Sequence, residues 1–342
     1  MRAFEYTDPQ TVHEAIALLG QDGHDRERGM RPLTGVQPLA GGTDLLTLMK
    51  ADVAAPSHLV NIKRLAELPS GIADTAQGLT LGTLTTLAEI ETHAVIRQHY
   101  PLLAQAAAGA ATPQLRNMAT LGGNLLQRPR CWYFRSRLLH CWLKGGTACP
   151  AHDGENQFHA LFGGNPCYAV HPSDLAPALV ALDAQVRLQG RGGVRTLPIA
   201  KFFALPTEDR RHETEIGRNE LLLSVFVPRL PEGTHSLYLK AMDRKVWAFA
   251  LVAVAAALRL DGRRVADARL VLGGVAPIPW RASTAEQELL GAEANNALFA
   301  RAAEAALSGA EPLQHNAYKV PLAKHLIQRA LITLTQDGVA GA

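Results

Sequence analysis

No stretch of the 342 residues is apolar for long enough to cross a bilayer. The longest nearly uninterrupted run, Val246 to Leu258, has the length of a buried core segment, whereas a span needs about 20 residues. The start, MRAFEYTDPQ, lacks the basic region followed by an apolar one that a secretory signal requires, and no twin-arginine pair precedes an apolar run. The chain is therefore expected to have no signal peptide of its own. Neither charge dominates: 34 Lys and Arg face 31 Asp and Glu, with no basic block, so the footprint of a nucleic-acid binder is absent. Cysteine is scarce, at four, and a secreted disulfide scaffold is typically small and cysteine-dense. A G-x-G-x-x-G fingerprint is missing, which argues against a Rossmann dinucleotide fold. A G-x-S-x-G elbow is missing too, and no Ser/His/Asp nucleophile can be assembled, so this chain is expected to do no substrate chemistry itself. No internal repeat stands out.

What remains is an ordinary globular composition, 47% hydrophobic and 19% charged, with length for two or three domains. Phe4 and Tyr6 alternate like a strand; Asp8 can cap a helix with Pro9 at its first position and Val12, Ile16 and Leu19 on one face. The charged QDGHDRERGMRP reads as an exposed loop. VQPLAGGTDLLTLMK then combines a short strand, Gly41 and Gly42, and a helix opening at Thr43 and Asp44. Paired glycines allow close approach to a ligand, and free N–H groups there attract phosphate or pyrophosphate; a plain tight turn with a capped helix is the competing reading. PQLRNMATLGGNLLQ has a second such turn, Thr120 to Gly123, followed by Asn124. The two loops suggest opposite walls of one anionic-ligand site. Further on, a helix from Asp174, a strand with Val186 and Leu188, and the strand NELLLSVFVP lead to a domain boundary near Pro228. The rest reads as a three-stranded sheet backed by helices, NAYKVPLAKHLIQRAL closing the chain.

All four cysteines, Cys131, Cys141, Cys149 and Cys167, fall between Arg128 and Asp174. Four thiolates can hold an iron–sulfur cluster, a zinc ion or two disulfides. Zinc sites usually show close C-x-x-C pairs, and the nearest cysteines here, Cys141 and Cys149, are wider apart; spacing alone does not settle metal identity. His140, His152, His159 and His171 lie nearby and read as surface or capping residues, not ligands. Trp132, Tyr133 and Phe134 are expected to cover the metal group or part of the core. The basic RPRC and RSR runs read as docking or solvating a loop, with docking preferred.

AGGTDLL, ATLGGNLLQ and HPSDLAPALVAL, followed by YLKAMDR and VLGGVAP, resemble in this order the FAD-binding medium subunit of the molybdenum hydroxylases, the family of xanthine dehydrogenase, carbon monoxide dehydrogenase and aldehyde oxidoreductases. The resemblance covers essentially the whole chain. It implies an α+β architecture: a PCMH-type FAD-binding domain over 1–228, made of two α+β subdomains (1–60 and 61–228), then a C-terminal α/β domain of the carbon monoxide dehydrogenase flavoprotein type over 229–342. It implies that Leu39, Ala40, Gly41, Gly42, Thr43, Asp44 and Leu45 give backbone N–H groups to the FAD pyrophosphate, with Thr120, Gly123 and Asn124 opposite. By the same resemblance Asp174 bonds the cofactor or fixes its loop, Ile216 packs on the isoalloxazine, and Lys240 touches the flavin edge. The segment 128–168 is an insertion between two family motifs. It resembles the branches whose flavin subunit also carries a [4Fe–4S] cluster, with Cys131, Cys141, Cys149 and Cys167 as ligands. LLQRPRCWYF and a cysteine just before HPSDLA look most like the bacterial heterotrimeric aldehyde oxidoreductases, whose cluster-bearing relatives include 4-hydroxybenzoyl-CoA reductase. The partners implied are a large subunit with the molybdenum cofactor, a small [2Fe–2S] subunit and an external electron acceptor. The compartment implied is the periplasm, through a twin-arginine signal on a partner, or the cytoplasm. Where many relatives have an acidic residue after the arginine of YLK…R, this chain has Trp247 and Ala248, so NAD use is in doubt. A zinc-stapled, non-redox binding module is the reading from another class.

Overall fold

Among the described residues, parallel strand pairing is confined to the first part of the chain. In the computed structural model, which describes residues 1–21 and 33–340, β1 (Glu5–Thr7), α1 (Val12–Leu19), β2 (Thr34–Leu39), α2 (Leu45–Lys50) and β3 (Ala55–Asn61) form a parallel sheet in the order β1-β3-β2. The QDGHDRERGMRP loop lies, but for Gln21, outside the described residues. Thr11, not Asp8, caps α1: its hydroxyl accepts from Glu14 N at 3.1 Å. Asp8 instead accepts from Asn61 Nδ2 at 2.6 Å, tying the end of β1 to β3, so the chain has to turn before the helix can start.

The next unit runs through β4 (Ile72–Thr75), β5 (Gly78–Gly82), α3 (Leu87–Thr92), α4 (Ala94–His99), α5 (Pro101–Ala108), α6 (Pro113–Arg116), α7 (Leu121–Leu125), α8 (Trp132–Arg135), α9 (Leu175–Ala181), β6 (Gln185–Gly190), β7 (Gly193–Pro198) and β8 (Leu221–Pro228). Its sheet is antiparallel, in the order β4-β5-β8-β6-β7. The central place of β8 accounts for its nearly continuous apolar run, since a strand covered on both faces loses the alternation of a half-buried one.

The last unit is an antiparallel sheet of β9 (Thr234–Ala241), β10 (Val252–Asp261), β11 (Arg264–Gly273) and β12 (Trp280–Arg281), with α10 (Ser283–Leu289), α11 (Asn296–Ala306) and α12 (Lys319–Ala340). The three strands expected are thus four; β12 has two residues and is too short to show a period. One core joins Leu258 and Leu270 of this sheet to Leu298, Phe299 and Ile327 of the helices. Tyr238, Ala253, Ala255 and Val271 belong to a different core, shared with Leu103 of α5 and Leu179 of α9. The alanine-rich β10 is therefore the layer between the two cores, and its small side chains let α5 and α9 approach closely.

Candidate cofactor cavity and cysteine cluster

A cavity of about 590 Å³ opens where the parallel sheet meets the five-stranded one, lined by the loop from Leu39 to Leu45, by Thr120, Gly122 and Gly123, and by Ile216 to Leu222 excepting Asn219. Gly41 is pressed against the second loop: a Cβ there would sit 1.8 Å from the Met118 carbonyl oxygen. Gly42 has φ +72, which a side chain rarely adopts. Among the described residues nothing accepts from the N–H groups of Gly41, Gly42, Thr43 and Asp44. The Thr120 hydroxyl accepts from Gly123 N at 3.2 Å and so holds the facing turn in shape. His212 Nδ1 and Thr214 Oγ1 also line the cavity, buried and without a partner among the described residues. Unclaimed donors on a glycine loop together with orphaned polar atoms suit a phosphorylated, partly aromatic ligand, and Leu19, Leu33 and Ile62 supply an apolar stretch of wall. His212 and Thr214 arrive on an irregular loop between β7 and β8, whose sequence carries no motif that marks them.

The predicted residues divide between places. Leu39 to Leu45, Thr120, Gly123 and Ile216 line this cavity; Asn124, Asp174 and Lys240 do not. Asp174 lines a second cavity of about 180 Å³, together with Cys131, Trp132, Ser173, Tyr238 and Phe249. Its carboxylate accepts from the Tyr238 hydroxyl at 2.7 Å and from Lys240 Nζ at 2.9 Å, while Lys240 also donates to the Gly109 carbonyl at 2.9 Å. Burial pushes the Asp174 carboxyl up, against the opposing pull of Lys240 and Tyr238. Asn124 Oδ1 accepts from the Ser173 hydroxyl at 2.5 Å, joining the second glycine turn to the start of α9. Trp247, one of the two residues that stand where many relatives have an acidic one, is 60% exposed and absent from this lining, whereas Ala248 and Phe249 belong to it, with the Arg130 guanidinium 4.9 Å from the Phe249 ring centre.

The four cysteines gather in one apolar cluster with Phe134, Trp142 and Leu143, packed on Leu48 and Met49 of α2. All four are free. Each sulfur is met by backbone amides: Phe134 and Tyr133 for Cys131, Lys144 and Leu143 for Cys141, Tyr168, Ala151 and His152 for Cys149, and Ala169 for Cys167. The bond from Cys167, outweighing burial, brings the Cys149 thiol down to about 6, and burial pushes Cys131 up to about 12. Among the described residues no group of three or more His, Cys, Asp or Glu is set to hold a metal ion. Of the four nearby histidines only His159 reaches a cysteine with its imidazole, its Nε2 3.2 Å from Cys131 Sγ. Burial and the Lys319 charge hold His159 down to about 4, which leaves its imidazole neutral.

Three of the four arginines of the basic runs, Arg128, Arg130 and Arg135, turn inward, while the Arg137 side chain stays 63% exposed. Asp44 accepts from Arg135 Nη2 at 2.7 Å and from Arg128 N at 2.8 Å, and pairs with Arg130 Nη2 at 3.1 Å. Arg128 Nε reaches Glu213 Oε1 at 2.8 Å and Arg137 pairs with Asp52 at 3.6 Å. A carboxylate at the head of α2 offers guanidinium groups a better partner than solvent. Burial alone would raise the Asp44 pKa; the Arg130 and Arg135 charges and the Arg128 amide outweigh it and lower it. From the opposite side Arg211 donates to the Trp142 and Gly146 carbonyls at 2.5 and 2.8 Å, its guanidinium 4.5 Å from the Trp142 ring centre. The C-terminal unit adds a third hold: Lys319 Nζ donates to the His159 carbonyl at 3.0 Å, and Asn316 Nδ2 to the His159 and Ala160 carbonyls at 3.1 Å each.

A glycine loop with unclaimed donors, facing a second glycine turn across a cavity between two α+β units, defines a protein that binds a nucleotide-containing cofactor. Residues 2–230 match the FAD binding domain in molybdopterin dehydrogenase, and residues 237–334 the CO dehydrogenase flavoprotein C-terminal domain. The chain belongs to this family of FAD-binding subunits of molybdenum hydroxylases, and is thus a component of an oxidoreductase. It is 37% identical to the aldehyde oxidoreductase FAD-binding subunit PaoB of Escherichia coli, over 97% of this chain and 98% of that protein. The carbon monoxide dehydrogenase medium chain of Hydrogenophaga pseudoflava is 32% identical, with 96% of each covered. Among solved structures, carbon monoxide dehydrogenase from the same organism superposes with a TM-score of 0.74 at 30% identity, covering 96% of both chains. Quinoline 2-oxidoreductase of Pseudomonas putida 86 gives 0.74 at 26% identity, covering 98% of both.

Proposed function

We propose that this chain is the FAD- and [4Fe–4S]-carrying electron-transfer subunit of a heterotrimeric, molybdenum-dependent aldehyde dehydrogenase or oxidase. The observation that carries the cluster is the set of four free thiols, each met by backbone amides, in one apolar nest. Such N–H groups stabilise thiolates, and this is the setting a cluster needs to keep its charge out of water. A single zinc ion is a poorer fit, because zinc sites usually draw on close C-x-x-C pairs and the nearest cysteines here, Cys141 and Cys149, are wider apart. A four-iron cluster has one iron per thiolate and spreads them wider. The likeness to the FAD-binding subunit of an aldehyde oxidoreductase supports the aldehyde as substrate class, oxidised on a large molybdenum subunit and with a small [2Fe–2S] subunit between.

FAD, when bound, supplies the ability to take electrons one at a time and release them in pairs. For it the chain offers the Gly41 to Asp44 amides, Thr120 and Gly123 opposite, and Ile216, His212 and Thr214 along the wall. Cys131, Cys141, Cys149 and Cys167 would hold the cluster. The chain would travel to the periplasm with a partner bearing a twin-arginine signal, or remain in the cytoplasm, and its acceptor would be an external carrier. The test is the purified complex: iron and acid-labile sulfide near four above that of the small subunit, flavin bands, and aldehyde-dependent bleaching of the flavin. Zinc in place of iron, with no flavin absorption, would sink this reading, and activity on an aromatic CoA thioester with none on aldehydes would move it to a hydroxybenzoyl-CoA reductase type.

A further inference from the structure

His159 has the only histidine side chain among the described residues with a hydrogen bond to a cysteine sulfur, at 3.2 Å from Cys131. An ionised sulfur has no proton to give, so as a ligand Cys131 can only accept, and the hydrogen has to sit on Nε2. Nδ1 then carries the lone pair, buried with no side-chain partner among the described residues, while the Asn156 backbone is the other polar group against the ring. The ring is boxed in by Trp132, edge-on at 5.7 Å, and by Tyr133 at 6.2 Å. Behind it the backbone is gripped by Lys319 and Asn316, both fully buried, and Lys319 Nζ has a second hold on the Gly274 carbonyl at 2.8 Å. The backbone that carries the imidazole is thus held by the C-terminal unit, while the ring and the sulfur it touches both belong to the insertion.

We infer that His159 raises the reduction potential of the cluster by donating a hydrogen bond to the Cys131 sulfur, held in place by Lys319 and Asn316; the inference rests on the cluster reading above. One-electron reduction adds a negative charge that spreads onto the sulfurs, and an N–H aimed at one of them stabilises the reduced form more than the oxidised one. His159 is a positioning and tuning residue, not a ligand.

The test is a redox titration of the assembled complex, followed by electron paramagnetic resonance, in wild type, His159→Leu and His159→Gln. At the wild-type midpoint the reduced-to-oxidised ratio should fall roughly tenfold in His159→Leu, a downward shift of about 59 mV for one electron, and His159→Gln should recover most of it because its amide still donates. Wild-type protein labelled with ¹⁵N-histidine should show a nitrogen coupling to the reduced cluster that His159→Gln lacks. An iron- and sulfide-replete His159→Leu complex with the wild-type midpoint overturns the inference. Should that variant lose its iron, absence of the ¹⁵N coupling in wild type overturns it equally. Wild type without iron and sulfide beyond the small subunit's overturns the cluster reading first, and the role of His159 with it.

Discussion

Arg135 Nη2 lies 2.7 Å from Asp44 Oδ1, and this contact joins the cysteine insertion to the first glycine loop of the FAD domain. Asp44 stands at the head of α2, lines the cavity with its backbone N–H unclaimed, and pairs its carboxylate with Arg130 and Arg135. One residue therefore belongs to both sites. Since Arg128, Arg130 and Arg135 all converge on it, the insertion cannot shift without dragging the loop that faces the cofactor cavity.

Asp44→Asn keeps the backbone donors but strips the countercharge from Arg130 and Arg135, whose side chains are 29% and 18% exposed. Removing one partner of a fully buried pair costs about 3–5 kcal/mol; with this partial exposure about 2 kcal/mol is expected. Thermal unfolding should show the loss, and FAD should be released at lower denaturant than in wild type. A variant with unchanged stability and flavin retention would show that the arginines have found other partners.

Cys141→Ser tests the same link from the other end. Cys141 is buried, accepts from the amides of Lys144 and Leu143, and its neighbour Trp142 is held by Arg211. Iron should be lost first. The arginine hub at Asp44 should then loosen and FAD occupancy fall with it, read as the ratio of flavin absorbance to protein. Full flavin occupancy in an iron-free variant would show that the FAD loop stands unaided.

The two glycine turns call for opposite responses to alanine. At Gly41 the added methyl would sit 1.8 Å from the Met118 carbonyl oxygen, a backbone clash that only separation of the loops can relieve. Gly41→Ala should cost about 3 kcal/mol and abolish FAD binding. At Gly123 the single neighbour within reach is the Thr120 hydroxyl at 3.0 Å, and the residue lines the cavity. Gly123→Ala should leave the unliganded chain within about 1 kcal/mol of wild type while weakening FAD at least about tenfold. Calorimetry on both apo-proteins separates the cases.

The features legible in the sequence are those set by adjacent residues. The glycine turns, the clustering of the cysteines and the strand at Leu221–Pro228 all declare themselves locally. Contacts between distant segments do not. Arg211 meets Trp142 across 69 positions and Lys319 meets His159 across 160, and neither pair has a spacing that announces it. The inward turn of Arg128, Arg130 and Arg135 is hidden for the same reason, because their acceptors, Asp44 and Glu213, lie far away along the chain. Asp174 and Lys240 could be placed in one site only through family resemblance, yet their direct bond explains why both face inward. Asp8 and Thr11 are both good caps in isolation, and the Asn61 amide on the neighbouring strand takes Asp8 out of the competition.

His171 should make the protein sensitive to mild acid. Burial holds it down to about 4 from an ordinary value of 6.5, against the pull of Glu213. Its ring packs edge-on against Phe203 at 4.7 Å, and its Nδ1 accepts from Ser173 N at 3.4 Å. Between those two values the unfolded chain binds a proton at this residue that the folded chain does not, so stability rises with pH across the window and is lost as pH falls through it. A gap of this size corresponds to about 2–3 kcal/mol lost between pH 7 and pH 4.5. His171→Leu has no proton to take up: it should be weaker than wild type at pH 7 for want of the Ser173 bond, but should lose distinctly less on acidification. Denaturant midpoints at the two pH values, taken for both proteins, measure the difference directly. Equal acid losses in the two would place the sensitivity on another group, with His159, likewise held down to about 4, the first to replace.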